Sequence, residues 1–219
     1  MQPNTKVIAF DTSAAHCAAA LLLGDRIITR IDEMSKGQAE HLMPMLEEML
    51  AVEGHTWRDL DAIGVGTGPG NFTGIRISVS AARGLSLGLG KPSIGVSNLE
   101  AQTFGLKGPL VSCLDARRGH AYVQVFVGDA MTPPRICALT ASELPKWHDG
   151  LKPRVVGSLA EPIAEIMNCD TVEAPNPIIE GIAYFAASRI DTTTDRPTPL
   201  YVRAADAAPP RDQAPAILL

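Results

Sequence analysis

Residues 66–84 read GTGPGNFTGIRISVSAARG, with five glycines and a proline between an apolar run, AIGV, and a stretch of helical character. A chain that leaves a buried strand and enters a helix in so few residues needs backbone conformations that glycine supplies freely. The first turn of the helix also presents unpaired N–H groups. Two readings follow. In one, Gly66, Gly68 and Gly70 let backbone N–H groups converge, the helix start adds its positive end, and the loop holds a phosphate. In the other, the glycines allow a tight turn and close packing, and Asn71 caps the helix. The loop is not a Walker A motif, because no Gly-Lys-Ser/Thr follows. It is not the dinucleotide G-x-G-x-x-G either, because Pro69-Gly70-Asn71 breaks the pattern.

The segments around the loop predict an α/β chain. Val7–Phe10 reads as a strand that ends in Asp11-Thr12-Ser13, where the Asp can hold a metal-bound water and the hydroxyls can touch phosphates. An Asx-type turn is the structural alternative. Residues 17–31 read as a hairpin with Gly24-Asp25 at its tip. Residues 35–54 read as a helix, since Leu42, Met45, Leu46, Met49 and Leu50 form one stripe. Ser35 is its expected cap, Gly54 its end and Pro44 a bend. A strand in 60–68, a helix over 72–88, a strand at 93–96 and a helix over 97–105 complete a β-β-β-α-β-α-β-α order. The second half reads as a shortened echo. Strands are expected at 110–114, 121–127, within PPRICAL and at 154–158, and helices near 159–167 and 178–189. The expected division is a first lobe over 1–106, a reduced second lobe over 107–203 and a flexible Ala/Pro-rich tail over 204–219.

The helix after the glycine loop carries a stripe of mostly small residues, Gly74, Ser78, Ala81, Leu85 and Gly88, and is apolar on nearly every side. Such a helix is expected to be covered twice, by its own sheet and by a partner. Asp115 and Arg117 in LDARRGHAY read either as a salt-bridged turn closed by Gly119 or as a polar contact at the cleft between the halves.

Hydrophobic residues make up 46% and charged residues 20% of the chain, enough to fill a core, and aromatic residues only 5%, so Ala and Gly must provide close packing. The net charge of −5 disfavours autonomous binding of nucleic acid, and no Lys/Arg cluster exceeds Arg117-Arg118. The four cysteines form no C-x-x-C pair, the histidines do not pair at helical spacing, and no zinc-type pattern or G-x-S-x-G elbow is present. No basic region followed by an apolar run stands at the start, and no stretch is long enough for a bilayer. The expectation is a reduced, cytoplasmic protein without a membrane partner.

Taken together, FDTS, AEHLMPMLEEML, GTGPGNFTGIRIS, IGVSNLEA, LDARRGHAY and PLYVR resemble, in order and over residues 6–203, the TsaB (YeaZ) family of bacterial tRNA threonylcarbamoyladenosine biosynthesis. Asn71 stands where the family usually has Ser; both cap helices. The resemblance implies the actin-like ATPase fold (ASKHA, ribonuclease H-like), built of two βββαβα-type lobes with the second one reduced. It also implies a non-catalytic paralogue of TsaD, the subunit that transfers threonylcarbamoyl to an adenosine next to the anticodon in tRNAs reading codons that begin with A. TsaD-type proteins carry a metal-binding H-x-x-x-H, and here Asn98 and Gln102 stand at that spacing. Neutral amides are poor ligands for a tightly bound transition metal, so neither a catalytic residue nor a metal is expected.

On the same resemblance, Asp11, Thr12, Gly68 and Gly70 are the remnant of a nucleotide site. No cofactor is required by this chain, although ATP or ADP has a place at the edge of an assembled complex. The resemblance further implies that two helices pair with their counterparts in a TsaD-type subunit, through Leu42, Met45, Met49, Gly74, Ser78, Val79, Ala82 and Leu85. Val79→Glu or Ala82→Glu is then expected to abolish partner binding in a folded chain. A homodimer through the same surface, a TsaE-type ATPase and tRNA reached only through the complex complete the implied partners. The competing reading is a small ASKHA phosphotransferase or nucleotide-binding protein using Asp11 and the glycine loop. A peptidase lacks any nucleophile–base pair or zinc site in the sequence.

Overall fold

The computed structural model describes residues 4–147 and 152–202. The tail expected over 204–219 lies outside the described residues. The chain begins with three antiparallel strands, β1 (Lys6–Asp11), β2 (His16–Leu23) and β3 (Arg26–Glu33). After α1 (Gln38–Val52), β4 (Ala62–Gly66) lies parallel to β1. After α2 (Phe72–Leu89), β5 (Ser93–Val96) lies parallel to β4, and the single turn α3 (Asn98–Ala101) follows. The sheet order is β3-β2-β1-β4-β5.

The second half repeats this plan. β6 (Leu110–Arg117) and β7 (His120–Val127) form a hairpin, and β8 (Ala130–Met131) and β9 (Arg135–Ala138) both pair with β7. β10 (Arg154–Gly157) is parallel to β6, α4 (Ala160–Met167) follows, and β11 (Asp170–Thr171) is parallel to β10. β6 and β10 thus occupy the places of β1 and β4, and α4 that of α2.

β1 is buried on both faces, as a central strand must be. Ile8 and Phe10 face α1 and α2, while Val7 and Ala9 face α5 (Ile178–Ser188). The small residues gather on the α5 side. A methyl group added at Gly64 would stand 3.0 Å from the β-carbons of both Ala9 and Ala186, and one at Gly181 would meet the Ala101 carbonyl oxygen. This is the close approach that the Ala/Gly-rich composition predicts. α5 belongs to the second half of the sequence yet packs on the first sheet, so the division expected at 106/107 does not follow the packing.

α1 buries the five apolar residues of the predicted stripe. Its cap is Gly37 in the left-handed region rather than Ser35. Pro44 lies inside the helix on its exposed side. The carbonyl it leaves unpaired, that of exposed Glu40, faces water, which limits the cost. α2 begins as expected, with Asn71 Oδ1 accepting the Gly74 N–H at 3.0 Å, and ends at Gly90 in the left-handed region. The helix expected over 97–105 is a single turn capped by Ser97.

Candidate functional site

β1 and β4 run parallel and end side by side, at Asp11 and Gly66. The carboxyl ends of parallel strands are where α/β proteins place ligands. The structure brings together here Asp11, Thr12, Gly68 and Gly70, with Ser13, Asn71, Gly74 and Asn98.

The glycine loop is seated on this chain's own Asp-Thr-Ser turn. Asn71 N–H donates to the Ser13 carbonyl at 2.6 Å, and Thr12 Oγ1 donates to the Gly74 carbonyl at 2.6 Å. A methyl group at Gly70 would stand 2.5 Å from the Ser13 carbonyl oxygen, and one at Gly74 would collide with the Thr12 carbonyl oxygen. A methyl group at Gly66 would strike Asp11 Oδ1. These glycines are therefore needed for close approach. Only Gly68, with φ of 96°, is needed for a left-handed conformation as well.

Asp11 is buried, with 3% of its surface exposed. Its Oδ2 accepts from Ser13 N–H at 3.1 Å and Ser13 Oγ at 2.7 Å, with His16 Nε2 at 3.4 Å. The Ser13 N–H bond is the Asx-type turn. Oδ1 has no hydrogen-bond partner among the described residues. The hydrogen bond to Asp11 raises the His16 imidazole above its usual pKa, against the opposing effect of burial. Asn98 closes the site from the far side. Its Nδ2 donates to Ser13 Oγ at 2.8 Å and its backbone N–H to the Gly68 carbonyl at 2.8 Å.

Gln102 lies one turn further on. Its Nε2 donates to Ser112 Oγ at 2.5 Å and to the Cys113 carbonyl at 3.2 Å, tying the end of α3 to β6. The two amides at the H-x-x-x-H spacing thus work as donors to oxygen atoms of this chain. Among the described residues, no three His, Cys, Asp or Glu side chains come close enough together to hold a metal. Burial pushes the Cys17 and Cys113 thiols up to about 11, which leaves them protonated and unreactive at neutral pH.

The residues expected at a partner interface lie elsewhere than on the surface. Leu42, Met45, Met49, Val79 and Ala82 are buried in the core between the first sheet and its two helices. Gly74 and Ser78 are buried as well, and Leu85 is half-buried. Ser78 Oγ lies 3.3 Å from the Gly66 carbonyl. Val79→Glu or Ala82→Glu would place a charge in that core, and so cannot report on a partner in a folded chain. The solvent face of α2 is made by Arg76, Ser80, Arg83, Gly84, Leu87 and Gly88, with Ile77 and Ala81 half-buried beside them. Leu87 is 83% exposed, and a methyl group at Gly84 or Gly88 would meet nothing within 4 Å. The predicted stripe passed through Ala81 and Gly88, and the signal in the sequence for the solvent side was Arg76, Ser80 and Arg83 at i, i+4 and i+7.

Sequence reasoning missed the segment after α5. Leu200 N–H donates to the Thr67 carbonyl at 2.8 Å, and Tyr201 stacks on Phe72 with ring centres 5.0 Å apart. Arg76 Nε donates to Tyr201 Oη at 2.8 Å, and its guanidinium carbon lies 4.0 Å from the Phe72 ring centre. The motif PLYVR was the available signal. Between this segment and the two sheets lies a cleft of about 370 Å³, lined by Thr67, Ser97, Gln124, Pro134 and Arg196 among others.

The turn after β6 also differs from its expected form. Asp115 Oδ1 accepts the backbone N–H of Arg117 at 2.7 Å, and no ion pair between their side chains forms.

The family model described as TsaD, tRNA N6-adenosine threonylcarbamoyltransferase, matches residues 25–136, just over half of the chain. The chain is 31% identical over 122 residues to the tRNA threonylcarbamoyladenosine biosynthesis protein TsaB of Escherichia coli, covering 53% of each. It is 36% identical over 131 residues to the TsaB of Haemophilus influenzae, covering 57% of this chain and 55% of that one. The chain thus spans about half the length of the curated relatives it matches. A crystal structure of a Pseudomonas aeruginosa protein, described as similar to the peptidase YEAZ, superposes with a TM-score of 0.72. It is 24% identical, and the match covers 91% of this chain and all of that one. With the doubled sheet order, these likenesses identify the fold as the actin-like ATPase fold.

Proposed function

The chain belongs to the TsaB (YeaZ) family, and from that premise we propose that it is a non-catalytic subunit of tRNA threonylcarbamoyladenosine synthesis. It pairs with a TsaD-type subunit and supports transfer of threonylcarbamoyl to tRNA adenosine. The observation that carries this reading is the solvent face of α2. An 18-residue helix with Leu87 83% exposed, beside two glycines open to close approach, has the chemistry of a helix-to-helix contact. Asn98 and Gln102, bonded within the chain, support a non-catalytic role.

The interface is then Ile77, Ala81, Gly84, Leu87 and Gly88, with Met43 of α1 at its margin. Each subunit contributes the same two helices, and a homodimer uses that face when no TsaD-type subunit is present. A TsaE-type ATPase docks on the pair, tRNA is reached through the complex, and ATP or ADP sits at the edge of the assembly. This chain requires no cofactor of its own. The phosphotransferase reading gains no support from a loop filled by Ser13 and Thr12.

The test is size-exclusion chromatography with light scattering on this chain mixed with the TsaD-type subunit of the same cell. Wild type is expected to form a one-to-one complex. Gly84→Arg and Leu87→Glu are expected to remain folded, because both positions face solvent, and to elute without the partner. A complex that survives both substitutions overturns this interface.

A further inference from the structure

Each sheet opens on a hairpin with an aspartate at or near the end of its first strand, Asp11 in β1 and Asp115 two residues before the end of β6. In the first, Asp11 accepts the N–H of Ser13. In the second, Asp115 accepts the N–H of Arg117 at 2.7 Å. There the likeness ends. The first turn is mostly buried against the glycine loop, whereas Arg117, Arg118 and Gly119 are all exposed.

The three have φ of 63°, 52° and 73°, so three successive residues are left-handed and only one is glycine. Arg118 and Gly119 form the two-residue loop between the paired Arg117 and His120, a place where Asn-Gly is the favoured sequence. Arg117 follows a register shift in the ladder. A left-handed arginine is strained, and both side chains are exposed, without a side-chain hydrogen bond or ion pair among the described residues. The fold would be better served by other residues at these two positions, so the arginines call for a reason outside it.

Arg26, Arg30 and Arg189 are matched to carboxylates. Arg117 and Arg118 make no ion pair among the described residues. His120 Nδ1 lies 2.9 Å from the Arg118 carbonyl. On a chain of net charge −5, this is the sole adjacent Lys/Arg pair in the sequence, held at a projecting tip.

We infer that the Arg117–Arg118 tip is a contact for the phosphodiester backbone of the RNA substrate. The planar, multidentate guanidinium suits phosphate, and such contacts set position rather than read sequence. A protein partner fits less well, because a narrow tip of two arginines and a glycine has no apolar centre to desolvate. The acidic remainder of the surface repels RNA, so the tip acts within the assembled complex. The inference rests on the proposed function above.

The test measures tRNA binding to the complex with the TsaD-type subunit, by fluorescence anisotropy from about 50 to 200 mM salt. Arg117→Glu/Arg118→Glu is expected to leave the complex intact and weaken tRNA binding about tenfold. It should also flatten the dependence of log affinity on log salt by between about one and two. Arg118→Asn relieves the strain and is expected to raise the melting temperature by about 2–4 °C while weakening tRNA binding. Unchanged affinity in the double variant, or an equal loss in the control Arg58→Glu, overturns the assignment. Loss of the complex itself would make the tip a protein contact and overturn it too. A wild-type complex that does not hold tRNA overturns the functional reading and this contact together, whereas wild-type binding with an indifferent double variant overturns the contact alone.

Discussion

At Gly74 a side chain would meet backbone. Gly74 sits in the first turn of α2, and a methyl group there would collide with the carbonyl oxygen of Thr12, which cannot rotate away. Gly74→Ala is expected to destabilise the fold by about 3 kcal/mol, although alanine is the better helix former. A denaturant midpoint that does not fall would mean the turn can shift. His16 offers a second check. Its pKa is raised by Asp11, so the folded state binds a proton more tightly than the unfolded one. The stabilisation is complete below the ordinary value of 6.5 and is lost as pH rises through the folded value. Melting temperature should therefore fall from pH 6 to 8.5 by more in the wild type than in His16→Asn. Parallel curves would show that the Asp11 contact contributes nothing.

At the scale of elements, α2 keeps two kinds of glycine apart. Gly74 faces inward and is required, whereas Gly84 faces outward with open space around it. Gly84→Ala should stabilise the isolated chain by about 0.5–1 kcal/mol through helix propensity alone. Retaining a costly glycine at an exposed position is what close approach by another helix explains. If thermal melting shows no gain, glycine costs the isolated helix nothing at this position and Gly84 does not mark the α2 face as a contact. α3 and α5 form a second unit. Glu100 is 9% exposed and receives both guanidinium nitrogens of Arg189, at 2.5 and 3.1 Å. The pair fixes how α5 returns to the first sheet.

At the scale of the molecule, the segment after α5 closes the chain back on the first sheet. α5 crosses back to the first sheet, and the residues after it reach the glycine loop through Leu200 and the start of α2 through Tyr201. Tyr201→Ala removes both the ring stacked on Phe72 and the acceptor for Arg76. Amide hydrogen exchange at the start of α2 is expected to quicken while the core of the first sheet stays protected. Unchanged exchange would show that the glycine loop needs no such clamp.

The order of strands and helices was legible along the chain because it depends on local pattern. The stripe at Leu42, Met45, Leu46, Met49 and Leu50, the Asn71 cap and the doubled strand–helix plan can all be read from spacing. The motifs from FDTS to PLYVR carried the family in the same way. In α2, Arg76, Ser80 and Arg83 at i, i+4 and i+7 mark the solvent side in the sequence. Tertiary structure alone decided that Leu87, apolar but in line with them, stays outside the core while Val79 enters it. It also decided that the glycine loop receives the Asp-Thr-Ser turn. That contact joins residues some sixty positions apart, and glycine looks the same whether the atom it admits belongs to a ligand or to the chain itself.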